Sequence, residues 1–190
     1  MGYQRKTALT KKNIKNSLIT LLETNKFDLI TVNQIIEEAE ITRSTFYRYY
    51  EDKYNLLSEI EEEILKHIHE ERNKIDEVFE KEDIFNVEMF LLLFKGLEKY
   101  SKTIGILLGN NGDSSFEMKI KNEISKRFMD LGKLSNISTV RQDLAKEYMH
   151  AILIKTFQYW SANKDSIDVK EVALTLRDIQ LKGFRDTIGL

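Results

Sequence analysis

The chain has no proline, no cysteine and only eight glycines among its 190 residues. Without cysteine there is no disulfide framework, no thiolate metal site and no cysteine nucleophile. No run of about 18 apolar residues occurs, so nothing is expected to span a membrane. The longest apolar cluster, "MFLLLF" (89–94), is far too short. The basic start, "MGYQRKTALTKK", is followed by no apolar stretch of signal-peptide type, and Gly2 alone does not make a myristoylation signal. The expected location is cytoplasmic. No phosphate-binding glycine loop appears, and no serine or aspartate sits in a catalytic setting. His67 and His69 diverge by about 200° on a helix and cannot readily share a metal; His150 stands alone. No metal, cofactor or enzymatic activity is expected.

Hydrophobic residues make up 42% of the chain and charged residues 32%, a balance that suits a largely helical protein with a sizeable core. The net charge of −2 hides an asymmetry. Residues 1–53 hold nine Lys/Arg against seven Asp/Glu, whereas 54–190 hold twenty against twenty-four. Arg5, Lys6, Lys11, Lys12 and Lys15 precede the first acid. A positive front on an acidic body fits a polyanion binder that uses one end. The acid run Glu59, Glu61, Glu62 and Glu63 reads as a solvated helix face.

Helical periodicity dominates, and about nine helices are expected, with no strand. In 10–25, Ile14, Leu18, Leu21 and Leu22 form one apolar face. Thr31 and Gln34 make a capping box for a short helix. Thr42 caps a second short helix through Tyr49, in which Ile41 and Phe46 point inward. Asp52 caps a long helix to about Lys74. Further helices are expected over 84–100 (including Phe85), 102–108, 114–131 (capped by Asp113), 140–163 and 168–187. Thr139 with Gln142, and Asp168 with Glu171, read as two more capping boxes.

Two short capped helices joined by a tight turn form a helix-turn-helix pattern. In that motif the second helix enters the major groove of DNA. The second helix here lies in "TRSTFYRYYEDK" (42–53), a mixture of aromatic rings, arginines and hydroxyls. Neither a core nor a plain solvated surface asks for that mixture. A DNA surface does, through donors, planar stacking groups and positive charge.

Residues 31–57, "TVNQIIEEAEITRSTFYRYYEDKYNLL", closely resemble the DNA-binding signature of TetR-family transcriptional regulators. The matching positions are Thr31, Ile35, Ala39, Ile41, Thr45, Tyr47, Tyr50, Lys53 and Leu57. Two departures stand out. Glu40 occupies the turn where the family usually has glycine, at a cost of about 1–2 kcal/mol if the left-handed conformation is kept; a slight relaxation of the turn is expected. Tyr49 stands where histidine is frequent. The resemblance implies phosphate clamps at Thr31, Tyr47 and Lys53, and base readers at Arg43, Ser44, Thr45 and Arg48. Thr42 and Tyr49 complete the set of DNA-binding residues. Tyr50 is assigned to the core. Residues 107–124 and 157–173 are similar to the C-terminal region of a TetR subgroup common in Firmicutes.

The resemblance further implies an all-α chain in two parts. Residues 1–53 would form the three-helix DNA-binding domain, joined by the long helix over 52–74 to a body, 54–190, that dimerises and binds an effector. The partners implied are double-stranded DNA with a palindromic operator, a second copy of the chain, and a small-molecule or protein effector. Repression relieved by the effector is the main expectation. An activator or a regulator responsive to a protein partner, or a helical interaction protein that has lost DNA binding, is the alternative. Candidate pocket residues are Phe90, Phe94, Tyr100, Phe128, Tyr148, His150 and Tyr159. Candidate dimer contacts are Ile154, Phe157, Trp160, Val172, Leu176, Ile179 and Phe184. For every residue in both sets the competing assignment is intramolecular core.

Overall fold

A computed structural model describes residues 2–79, 86–129 and 138–187. Nine α-helices and two 3-10 turns lie among the described residues, with no strand. Helix α1 (Gly2–Leu22) starts well before the apolar stripe, because the basic leader contains no breaker and continues the helix. Its Ile14, Leu18 and Leu22 are fully buried. A 3-10 turn (Phe27–Leu29) leads to α2 (Val32–Glu38) and α3 (Arg43–Tyr49). Each of these two helices has only seven residues, too short to be stable alone. They persist because Ile35, Ala39, Phe46 and Tyr50 pack into the core shared with α1.

Helix α4 (Lys53–Val78) runs 26 residues from this head into the body, a turn beyond the sequence expectation. The body comprises α5 (Val87–Leu97), α6 (Ser101–Leu107), α7 (Ser114–Met129), α8 (Thr139–Asn163) and α9 (Val169–Thr187). The expected helix over 84–100 is shorter: a 3-10 turn (Glu98–Tyr100) separates α5 from α6, and Phe85 lies outside the described residues. The expected capping box at Thr139 is also corrected. The cap position belongs to Ser138, whose side chain makes no capping bond, and Thr139 is already helical. Asp113 and Asp168 do cap, accepting from the backbone N–H groups of Ser115 and Lys170, but the expected box with Glu171 is not formed, because Glu171 N–H bonds the Asp168 carbonyl instead.

Head and body share one hydrophobic cluster. Their junction is also stitched by the loop 109–113. Gly112 is required there, because a Cβ would lie 1.9 Å from the Leu107 carbonyl oxygen. The tight loop lets Asn111 donate to the Leu22 carbonyl at the end of α1, and the Asn111 carbonyl accepts from Phe27 N–H.

Candidate nucleic-acid interface

The turn between α2 and α3 is built from backbone bonds. Ile41 N–H donates to the Ile36 carbonyl and Glu40 N–H to the Glu37 carbonyl. This is a Schellman closure, which requires a left-handed residue between helix end and exit. Glu40 supplies it at φ 51. The expected relaxation does not occur; the non-glycine residue keeps the strained conformation. Asn13 on α1 donates to the Ala39 carbonyl at 2.7 Å, anchoring the same corner.

The caps form as the local sequence requires. Thr31 accepts from Gln34 N–H, while Gln34 Oε1 accepts from Thr31 N–H at 2.8 Å. Thr42 accepts from Thr45 N–H, and its hydroxyl lies 2.8 Å from the Thr45 hydroxyl and 3.0 Å from that of Ser44. Thr42 and Thr45 therefore serve the helix start. Phe46 and Tyr50 turn inward and are buried. On the other side Arg43, Ser44, Tyr47 and Arg48 are all exposed. Their spacing, two i,i+4 pairs side by side, makes one continuous face. Arg43 lies over the Tyr47 ring at 5.4 Å and donates to Asn33 Oδ1 of α2 at 3.2 Å. That holds the guanidinium across the mouth of the motif rather than free in solvent. Tyr49 is half-buried against the core.

Lys53 has a different setting from the one expected. Its ammonium donates to the carbonyls of Phe27, Asp28 and Ile30 at 2.8–2.9 Å, and it sits over the Phe27 ring. All three N–H donors of the ammonium are engaged. A cation at the start of α4 is thus explained by the 3-10 turn it ties down, without a phosphate.

The basic arm is divided. Lys11 and Lys15 reach Glu59 at 2.6 and 2.8 Å, and Lys15 also reaches Glu63 at 2.8 Å. Arg5, Lys6 and Lys12 are exposed and make no ion pair among the described residues. The acid run is therefore not simply a solvated face. Burial alone would raise the Glu59 pKa, but the hydrogen bonds from Lys11 and Lys15 outweigh it and the pKa is lowered. Glu63 is lowered chiefly by Lys15, with help from the Tyr100 hydroxyl 2.7 Å away. Glu61 is almost fully buried between α4 and α7 and meets Lys119 at 2.6 Å. There burial prevails over the lysine and the pKa is raised.

The body holds an apolar cavity of about 150 Å³, walled by α4, α5, α6, α7 and α8. Of the seven pocket candidates, Phe90 and Phe94 line it. Tyr100 instead bonds Glu63, and Tyr148 and Tyr159 project outward. His150 is buried at 2.8 Å from the Ser125 hydroxyl, where desolvation lowers its pKa. The Phe128 side chain lies outside the described residues. Arg72 and Glu123, unforeseen from sequence, are the two charged residues among the described lining. They are 51 positions apart, so no local pattern could have paired them.

The dimer candidates are redistributed as well. Ile154, Phe157, Trp160, Val172 and Leu176 are buried within the protomer, which leaves them little surface for a second copy. Ile154 and Phe157 face the cavity, and Phe157, Trp160 and Phe94 form a ring cluster at 5.1–5.8 Å. Ile179 is half-buried, and the Phe184 side chain lies outside the described residues. The exposed large apolar side chains of α8 are Val140, Leu144, Tyr148 and Tyr159. With Ala151 and Lys155 they fall within one arc of about 100°. The spacing was available in the sequence, but the opposite face of the helix is equally apolar.

Comparison with known proteins places these features. Residues 86–182 match a family described as "Transcriptional regulator C-terminal region", and residues 19–60 match "Bacterial regulatory proteins, tetR family". The crystal structure of a TetR transcriptional regulator from Streptococcus agalactiae 2603V superposes with a TM-score of 0.62 at 25% identity, covering 94% of this chain and 97% of that one. The dihydroxyacetone kinase operon activator DhaS shares the fold, at a TM-score of 0.50 and 21% identity over 92% of this chain and 96% of that one. In sequence, 54 residues are 36% identical to the dhaKLM operon transcriptional activator DhaS of Lactococcus lactis, spanning 28% of this chain and 29% of that protein. Another 51-residue match, 33% identical, is to the HTH-type transcriptional regulator YxbF of Bacillus subtilis, spanning 27% of this chain and 13% of that protein. The chain thus spans less than a third of the length of either curated relative.

Proposed function

Since the chain belongs to the TetR family of bacterial regulatory proteins, we propose that it represses transcription as a homodimer on a palindromic operator and is released by an effector bound in the body. The observation that carries this reading is the exposed α3 face. Arg43, Ser44, Tyr47 and Arg48 stand together, exposed, on the second helix of the motif. Arg43 or Arg48 is suited to bidentate contact with guanine, and Tyr47 and Ser44 to phosphate or base edges. Thr31 lies at the start of α2, where backbone N–H groups favour an anion. Arg5, Lys6 and Lys12 supply the free positive charge of the leading arm. Lys53 supports the site from within by fixing the 3-10 turn beneath it.

One seven-residue helix reads only a few base pairs. Two heads about 34 Å apart would read successive major grooves of a palindrome. The exposed stripe Val140, Leu144, Tyr148 and Tyr159 is the surface on which a second copy would pack. Residues 1–53 then act as the reading unit and 54–190 as the dimerising and sensing unit. Helix α4 connects the two, held to α7 by Glu61–Lys119 and Arg72–Glu123. An effector that alters this packing would change the spacing of the heads, provided that it binds the two states with different affinity. The same reading makes the protein a regulator rather than a catalyst, acting in the cytoplasm; no described helix is long and apolar enough to cross a membrane.

The test is a titration on the DNA upstream of the protein's own gene, beside a scrambled duplex of equal length, at near-physiological salt. Preference for the upstream DNA with two protomers per site supports the reading. Equal weak binding to that duplex and to a genome-wide selection of fragments would sink it. Transcription in vitro with and without the protein then separates repression from activation.

A further inference from the structure

Resting on the reading that the body takes an effector, we propose that its ligand is an uncharged apolar molecule about the size of one aromatic ring, held against α4 and α7. The cavity measures about 150 Å³. The cavity is partly open to solvent, and a closed apolar cavity of comparable volume admits benzene. Phe90, Leu93, Phe94 and Ile124 contribute to its wall, and among the described residues only Arg72 and Glu123 bring charge. Those two are mostly buried and pair with each other at 2.9 Å. Arg72 also donates to His69 Nδ1 at 2.7 Å, and Glu123 also pairs with Lys126.

The charge of this pair is therefore neutralised before any ligand arrives. An anion would have to take Arg72 from Glu123, and a cation would have to take Glu123 from Arg72. Either exchange leaves a buried charge with a weakened partner set, which is costly. An uncharged ring requires neither exchange. It gains from leaving water and from contact with phenylalanine and aliphatic walls. Its position matters for regulation, because the pair it abuts joins the helix that carries the reading head to the helix that closes the cavity.

The experiment uses the full chain without DNA. Ligand-induced change in Tm and calorimetric titration are measured with toluene, benzoate and benzylammonium at equal concentrations. Toluene is expected to raise Tm, with benzoate and benzylammonium binding at least about ten-fold more weakly. Ile124→Phe, which fills the cavity, should abolish the toluene effect; should that variant not fold, Leu93→Phe serves the same purpose. If neither folds, transfer of magnetisation from the cavity methyl groups of the parent to bound toluene decides the matter. Benzoate outperforming toluene, with loss of its effect in Arg72→Gln, would overturn the proposal in favour of an anion. Benzylammonium outperforming toluene, with loss in Glu123→Gln, would overturn it in favour of a cation. No response to any of the three would overturn it too, and make the cavity a packing gap. Because the assay contains no DNA, each of these failures leaves the operator titration untouched, and a failed operator titration leaves this assay untouched.

Discussion

Helices α3 and α8 both bury one face and expose the other, but the exposed faces differ in kind. Helix α3 buries Phe46 and exposes Arg43, Ser44, Tyr47 and Arg48. Helix α8 buries Met149, Ile154, Phe157 and Trp160, and exposes Val140, Leu144, Tyr148 and Tyr159. A face of donors and planar rings suits a phosphate-rich partner. An apolar stripe left in water suits another protein surface. One chain thus carries two exposed faces of opposite chemistry, and the contrast predicts that their mutants fail in different assays.

The largest expected effect lies beneath the α3 face. Phe46→Ala should cost about 3–5 kcal/mol of folding stability, read from urea unfolding, because its ring is fully buried. Next comes the α8 stripe. Leu144→Glu should leave helix content intact while shifting dimer to monomer in sedimentation, since a charge on an interface must be desolvated. A dimer of unchanged strength would show that this stripe is not where copies meet. Third, Arg43→Ala and Lys53→Ala should separate reading from support. Arg43→Ala is expected to relax preference at one base pair by about 1–3 kcal/mol and leave stability within about 0.5 kcal/mol. Lys53→Ala should lower stability by about 1–2 kcal/mol through three lost bonds to carbonyls. Equal stability of the two variants would break the distinction.

The fourth expectation concerns two acids on α4 with opposite pH behaviour. Glu59 has a lowered folded-state pKa, so its contribution to stability is present above the ordinary carboxylate range and is lost as pH falls through the lowered value. Glu61 has a raised one, so its contribution is present below the ordinary range and is lost as pH rises through the raised value. Unfolding midpoints of Glu59→Gln and Glu61→Gln, taken relative to the parent from about pH 3 to 8, should therefore slope in opposite directions. Parallel slopes would contradict the assignment. The smallest effect belongs to the turn: Glu40→Gly should stabilise by about 1 kcal/mol or less. It relieves the left-handed strain but gives glycine more freedom to lose on folding.

The head was read from sequence more completely than the body. Thr31, Gln34, Thr42 and Asp52 announce helix starts through bonds that span at most four residues. The inward positions of Ile35 and Phe46 follow from the same short period. Lys53 escaped this reading because its partners lie 23–26 positions away, in a turn that local pattern does not orient. The acids Glu59 and Glu63 escaped it for the same reason, since Lys11 and Lys15 approach from 48 positions upstream.

Sequence alone determined what depends on near neighbours: an all-helical chain, the two short capped helices with their tight turn, and the polar face of α3. It also determined that α8 would be apolar. Which apolar face of α8 turns inward was decided only by tertiary structure. Burying Phe157 and Trp160 against Phe94 of α5, with Ile154 on the cavity wall, leaves Val140, Leu144 and Tyr148 outside, and periodicity is the same for either choice. Tertiary structure likewise joined Arg72 to Glu123 across 51 residues and placed the pair on the cavity wall. The physical reason is range. Caps and amphipathic periods act along one helix, whereas burial and charge pairing depend on which distant helix arrives beside it.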